Sequence, residues 1–297
     1  MAERNPFPGE NNTGHIWDGN LRELANPPPG WWTIGFWASI AFFAVYGVLY
    51  PMYPVGDNGT KGVMGWTQMG EYKEGKAEVD KVRATYESKL KGMDAKAVLA
   101  DPSLKKYVQA SANVLFGDYC AACHGSKGVG NAALTPQDAG FPVLVDDDWL
   151  WGGDINTIVA TGTTGRKGIM PANVKAGLLT EADARKLAKW VAGMKNEKKP
   201  MSHDPEAQQM FVDKGCFACH GPDAKGVDAM GSADLTSPIW RFAPGGEESA
   251  FYTIANGVND ASDPKSRVAE MPKFGDRLSA DEIKKVAIFV HQLGGGK

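Results

Sequence analysis

All four cysteines of the chain fall in two short stretches, CAACHG at Cys120–Gly125 and CFACHG at Cys216–Gly221. In each, two thiols stand three residues apart and a histidine directly follows the second. A Cys-x-x-Cys pair alone serves as half a zinc site, a redox dithiol or a haem attachment. Structural zinc takes four ligands and often joins two such knuckles, so a zinc site is the competing reading. A thioredoxin-type dithiol belongs beside a βαβ pattern, and none is visible here. The histidine behind each pair is the mark of c-type haem attachment. There the thiols form thioethers to the haem vinyl groups and the imidazole coordinates the iron. The spacing assigns Cys120, Cys123 and His124 to one haem c, and Cys216, Cys219 and His220 to a second.

A second axial ligand is needed for each iron. Cytochromes c commonly set Met opposite His, which raises the potential relative to bis-His ligation. Of the eleven methionines, Met170 and Met271 each precede a proline and lie well beyond the attachment histidines. A loop at that position can wrap to the far face of a haem, so these two are the candidate distal ligands, with packing as the competing role. Met194 sits on a helical apolar stripe, and Met230 follows His220 too closely to cross the ring. His15, His203 and His291 are read as non-ligands. Arg166 and Arg241 are candidates to pair with haem propionates, with an ordinary surface position as the alternative.

The elements that must position these groups form an internal repeat. Each unit opens with Asp-Pro, at Asp101-Pro102 and Asp204-Pro205, a helix cap followed by proline at the first helical position. A short helix then leads to the cysteines. Each unit later carries Met-Pro and closes with a capped amphipathic helix. The first begins at Thr180 with the apolar stripe Leu187, Trp190, Val191 and Met194. The second begins at Ser279, where Ser279 and Glu282 form a capping box, with the stripe Ile283, Val286, Ala287 and Val290. A domain of this size has a limited core of its own, and a covalently held porphyrin supplies an apolar centre.

Net charge is −3, without the basic excess of a nucleic-acid binder. From Leu24 to Gly56 there is no charged side chain. Within that stretch, Trp31–Tyr53 is long enough to cross a bilayer core of about 30 Å. Trp31 and Trp32 at one end, and Tyr50 and Tyr53 at the other, suit the two interfaces. A cleaved signal peptide would be shorter, nearer a basic N-terminus and followed by a small-residue cleavage site. The expected organisation is an N-terminal segment 1–30, read as irregular; a transmembrane anchor 31–53; a linker with a charged helix 54–100; a first haem domain 101–200; and a second 201–297. The fold class is mainly α: one N-terminal transmembrane helix followed by two tandem class I cytochrome c domains.

This order resembles the dihaem subunit P (CcoP or FixP) of cbb3-type cytochrome c oxidases. The segment TGHIWDGNLRELANPPPGWW is similar to that family's approach to its membrane helix, and DDDWLWGGD and GRKGIMP to its first haem domain. IWRFAPGGEE in the second unit departs from the family's Trp-Leu-Tyr-Gly pattern. The resemblance implies a non-catalytic subunit that passes electrons from cytochrome c donors to the catalytic haem-copper subunit through a monohaem subunit. It implies a single-pass protein of the bacterial inner membrane, with the N-terminus cytoplasmic and both haem domains periplasmic. It also leaves two ligand arrangements, since related dihaem proteins exchange ligands between halves. Sequence order favours ligation within each unit, and Met170 serving the second haem with Met271 serving the first is the alternative.

Other functions compete. A cytochrome subunit of a periplasmic dehydrogenase would share the haem motifs but not the N-terminal match. A dihaem peroxidase or a gas sensor needs an open or labile iron position, which two placed methionines would close. Residues from Asp204 onward carry net negative charge, and those from Asp101 to Pro200 net positive. Opposite charge speeds encounter with a basic donor. The haem at Cys216/Cys219 is therefore expected to receive electrons first, with Glu247 and Glu248 as docking residues.

Overall fold

The computed structural model describes residues 7–130, 140–242, 244–294 and 296. The chain divides into two compact units, Met1–Arg83 and Ala84–Lys297.

In the first unit, β1 (Asn12–Trp17) and β2 (Leu21–Leu24) form an antiparallel hairpin with Trp17 opposite Leu21. Asp18 at φ 49° and Gly19 at φ 77° turn the chain. This stretch, expected to be irregular, carries an Asp-Gly pair, a strong local hairpin signal. An ion pair between Arg22 and Glu10 braces it.

Helix α1 (Gly30–Leu49) follows the three prolines. It is long and apolar enough to cross a membrane, and none of its residues is buried within the protein. The helix ends earlier than the expected span. Pro51 disfavours a helical conformation for the residue before it, and Tyr50 is extended at φ −117°, ψ 159°. The backbone N–H groups of Met52 and Tyr53 both donate to Thr60 Oγ1 at 3.2 Å. A small ladder of β3 (Pro54–Val55) and β4 (Asn58–Gly59) then turns the chain. Helix α2 (Gln68–Leu90) carries the interleaved charges and is exposed over most of its length.

The second unit contains both cysteine motifs. In chain order its helices are α3 (Ala95–Ala100), α4 (Pro102–Tyr119), α5 (Ala121–His124), α6 (Ile155–Thr164), α7 (Glu181–Glu197), α8 (Pro205–Asp213), α9 (Phe217–His220), α10 (Gly246–Asn256) and α11 (Ala280–His291). The starts follow from the sequence. Asp101 accepts from Ser103 N at 2.8 Å and Leu104 N at 3.2 Å, and Asp204 accepts from Ala207 N at 3.0 Å. Capping boxes open α7, between Thr180 and Asp183, and α11, between Ser279 and Glu282.

Helix packing does not follow chain order. The closing helix of the second repeat, α11, lies against α4 and α6 of the first. Phe116 and Phe289 meet there with ring centroids 5.2 Å apart. The closing helix of the first repeat, α7, lies against α8 and α10 of the second. Trp190 and Phe211 meet there at 5.3 Å. One core therefore joins Leu104, Val108, Phe116, Ile155 and Ile158 to Ala287, Ile288 and Val290. The other joins Leu187, Trp190 and Met194 to Ala207, Phe211 and Ala250. Each buried aromatic or aliphatic side chain of this size contributes roughly 1.5–3 kcal/mol, so each half depends on a helix lent by the other. The connection between α7 and α8 is short, and Trp190 Nε1 donates to Met201 O at 2.8 Å across it. That turn sets α7 against α8 rather than back on α4.

Two strand contacts mark the crossing. β5 (Arg166–Lys167) pairs antiparallel with β6 (Glu270–Met271), Arg166 opposite Met271. An isolated antiparallel bridge joins Met170 to Val258.

Candidate haem-binding site

Each motif is a single helical turn following a longer helix. Cys120 ends α4, and its carbonyl accepts from Cys123 N at 3.1 Å and His124 N at 2.9 Å. In the second motif Cys216 O accepts from Cys219 N at 3.3 Å and His220 N at 3.0 Å. The turn brings both thiols and the imidazole of a motif to one side. Gly125 then reverses the chain at φ 74°, and a Cβ there would stand 2.5 Å from Gly130 O. Only glycine fits that approach. Gly221 repeats the conformation at φ 76°.

A backbone carbonyl orients each histidine. His124 Nδ1 lies 2.9 Å from Pro142 O, and His220 Nδ1 lies 2.9 Å from Ala233 O. A carbonyl only accepts, so Nδ1 carries the proton and Nε2 keeps its lone pair. This is the arrangement that prepares an imidazole to bind iron or another metal. Burial lowers the proton affinity of both imidazoles, against an opposing effect of the carbonyl bonds, and holds them neutral. Arg241 lowers it further at His124, and Lys195 at His220. Burial pushes the Cys120 thiol up to about 11, helped by Cys123, and raises Cys216 as well. All four cysteines are free of disulfides.

Both motifs open on one cavity of about 550 Å³. His124, His220 and the four cysteines line it, together with Met170 and Met271. Its walls are mainly apolar and aromatic, the character of a cofactor site. Among the described residues no three His, Cys, Asp or Glu side chains group as a metal-ion site. Paired thiols beside one oriented imidazole fit haem c attachment at each motif.

The methionines lie across the repeat boundary. Met271 packs against the cluster of Phe274, Leu278 and Ile283, against which Tyr119, the residue before Cys120, and Val159 of α6 also pack. Gly165, the cap of α6 at φ 71°, makes room for it: a Cβ there would stand 2.4 Å from Met271 O. Met170 exchanges backbone hydrogen bonds with Val258 at 2.9 Å in both directions. Gly257 caps α10 in the same way, and a Cβ there would stand 2.4 Å from Met170 O. The chain after Met170 is pinned to the second repeat, by Ala172 N to Asp260 Oδ2 at 2.7 Å and Asn173 N to Ile254 O at 3.2 Å. Val174 there packs against the core that contains Trp190 and Phe211, as Cys216 also does.

The remaining candidates separate. Met194 is 1% exposed in a core. His203 Nδ1 faces Pro200 O at 2.7 Å. Arg166 Nε donates to Thr161 Oγ1 at 2.9 Å, and its guanidinium lies 4.8 Å over the Trp151 ring. Arg241 is enclosed rather than on the surface and pairs with Asp148 at 3.3 Å. Lys195, which sequence reasoning missed, is buried at 5% exposure. Burial depresses its pKa, partly offset by Asp148 and Asp234. Its signal was a lysine directly behind the apolar stripe of α7.

Known proteins match along the whole chain. Residues 9–57 match the family described as the N-terminal domain of cytochrome oxidase-cbb3, FixP. Residues 109–191 match cytochrome C oxidase, cbb3-type, subunit III, and residues 206–294 match cytochrome c. Fold and motifs thus define a mainly α protein with two cytochrome c domains and one apolar N-terminal helix. A cbb3-type cytochrome c oxidase subunit FixP of Bradyrhizobium sp. is 34% identical, covering 100% of this chain and 99% of its own. A subunit CcoP of Cereibacter sphaeroides is 34% identical over 98% of this chain and 97% of its own. One of Azospirillum brasilense is 34% identical over 100% and 99%. The chain belongs to the CcoP/FixP family of cbb3-type cytochrome c oxidase subunits.

Proposed function

We propose that this chain is the membrane-anchored dihaem electron-transfer subunit of a cbb3-type oxidase and is not itself the oxygen-reducing centre. Cys120 and Cys123 hold one haem c, with His124 as proximal ligand; Cys216 and Cys219 hold the other, with His220. The observation that carries this reading is the pair of matched turns, each imidazole oriented through Nδ1, opening on one cavity. Bound there, each haem supplies a one-electron iron couple.

Met271 serves as distal ligand in the first site and Met170 in the second. Their packing supports this exchanged arrangement over the one that chain order favoured. The thioether cysteines and the paired Met-Pro loops fix the groups rigidly, and the apolar walls exclude water. Little then has to rearrange as an electron passes.

In this reading α1 spans the inner membrane with the N-terminus cytoplasmic and both haem domains periplasmic. Cytochrome c donors reach the second haem first. The electron continues through the first haem and a monohaem subunit to the catalytic haem-copper subunit. The full chain, expressed with haem c maturation and purified in mild detergent, should carry two haems c by pyridine haemochrome and bring down subunits containing b-type haem and copper. Reproducible purification without those subunits would overturn the oxidase role.

A further inference from the structure

Between the two motifs lies a charge cluster that the ligand set does not use. Asp148 and Arg241 form an ion pair whose side chains are only 10% and 12% exposed. Among the described ion pairs no other has both partners so enclosed. Asp148 belongs to the first repeat and Arg241 to the second. The two loops correspond: Leu144 N donates to Gly128 O at 2.6 Å, and Leu235 N to Ala224 O at 2.7 Å. In that register Trp149 matches Trp240, and Leu150 matches Arg241. An apolar residue in one repeat is thus a buried cation in the other.

The two cations of the cluster, Arg241 and Lys195, are only loosely paired with its acids, Asp148 and Asp234. Arg241 Nη2 donates to Asp148 Oδ1 at 3.3 Å and to Asp148 O at 3.4 Å, both long, while Ser237 Oγ donates to Asp148 Oδ2 at 3.1 Å. Arg241 Nε is buried and has no acceptor. Lys195 Nζ donates to Asp234 O at 2.9 Å and lies 5.3 Å over the Trp240 ring. No carboxylate lies within ion-pair distance of it among the described residues. Asp148, Lys195, Asp234 and Arg241 all line the cavity shared by the two motifs. A buried cation without an acid partner is costly, and a carboxylate from a bound group would relieve that cost.

We infer that Arg241 and Lys195 form one carboxylate-binding seat, shared by the propionates of both haems and tied to the first repeat through Asp148. This rests on the dihaem reading proposed above. The chemistry matches, since guanidinium binds carboxylate through a fork of N–H donors and ammonium acts as a point charge. A cation at this seat disfavours the oxidised iron, which carries one more positive charge than the reduced form. Both reduction potentials therefore depend on Arg241, and Asp148 acts in the opposite direction.

The test is spectroelectrochemistry of the full-length, haem-loaded protein, with haem content measured first. Arg241→Gln should lower both potentials, Arg241→Lys should lower them less, and Asp148→Asn should raise both. The propionate bending mode in resonance Raman should shift in Arg241→Gln. Structural loosening alone would move the Arg241→Gln and Asp148→Asn variants in the same direction, and that result would overturn the inference. So would an unchanged potential at either haem in Arg241→Gln with two haems present. A wild-type chain that attaches no haem c after maturation would instead overturn the dihaem reading itself.

Discussion

Met170 and Val258 exchange both backbone hydrogen bonds at 2.9 Å, so a first-repeat methionine is fixed at the end of a second-repeat helix. The mirror contact sets Met271 opposite Arg166, behind α6. With α7 and α11 also crossing, each half of the molecule takes its opening helix and cysteine motif from one repeat, and its closing helix and methionine from the other.

The helix exchange predicts an unexpected energetic coupling. Phe116 and Phe289 belong to different repeats yet share one core. Phe116→Ala and Phe289→Ala should each cost about 3–5 kcal/mol. A double-mutant cycle in denaturant should give a coupling of about 0.5–1.5 kcal/mol. Additive effects would count against the contact.

Gly165 and Gly257 are predicted to be intolerant of any side chain. Both have positive φ, and a Cβ at either would stand 2.4 Å from a methionine carbonyl. Positive φ with ψ near 180° is a backbone region essentially confined to glycine and costs another residue about 1–3 kcal/mol, and the clash adds to this. Gly165→Ala should displace Met271, and Gly257→Ala should displace Met170. Each change should weaken the Met-to-iron absorption at the red end of the oxidised spectrum. Full retention of the band in both variants would argue against the positioning role.

Much of this was legible beforehand. The Asp-Pro starts, the Ser279/Glu282 box and the apolar stripe from Leu187 to Met194 are local patterns, and local patterns survive whatever the tertiary context. Partner choice is different. The stripe on α7 reads the same whether it meets Phe116 or Phe211, because hydrophobic burial has no direction. The Nδ1 acceptors, Pro142 O and Ala233 O, are backbone groups with no side-chain signature. Arg241 was legible as a propionate candidate, but its partner Asp148 lies in the other repeat and no spacing rule joins them.

Acid should weaken one specific tether. Glu87 accepts from Lys285 at 2.8 Å and from Tyr107 at 2.6 Å. Burial raises its pKa, but these two bonds outweigh that effect and leave it below the ordinary value of 4.5. A carboxylate with a depressed folded pKa contributes stability above its unfolded pKa and loses it as pH falls through the folded value. The stability gap between wild type and Glu87→Gln should therefore be full at neutral pH and close below about pH 4. A gap independent of pH would contradict this.

Donor docking is predicted at the start of α10. Glu247 and Glu248 are exposed in its first turn, and Glu248 pairs with Arg185 at 3.2 Å. Glu247→Lys combined with Glu248→Lys should slow oxidation of a basic cytochrome c donor at low ionic strength, with the difference fading as salt rises. An unchanged rate at low salt would remove these residues from the docking face. A slower rate on reversing the exposed Asp147 instead would move electron arrival to the first repeat.

The exchanged ligand set is tested most directly in a chain that carries only the first haem, made by Cys216→Ala with Cys219→Ala. In that background Met271→Leu should abolish the Met-to-iron absorption of the oxidised haem, and Met170→Leu should leave it intact. Loss of the band with Met170→Leu and its retention with Met271→Leu would contradict the exchange and return each methionine to its own repeat.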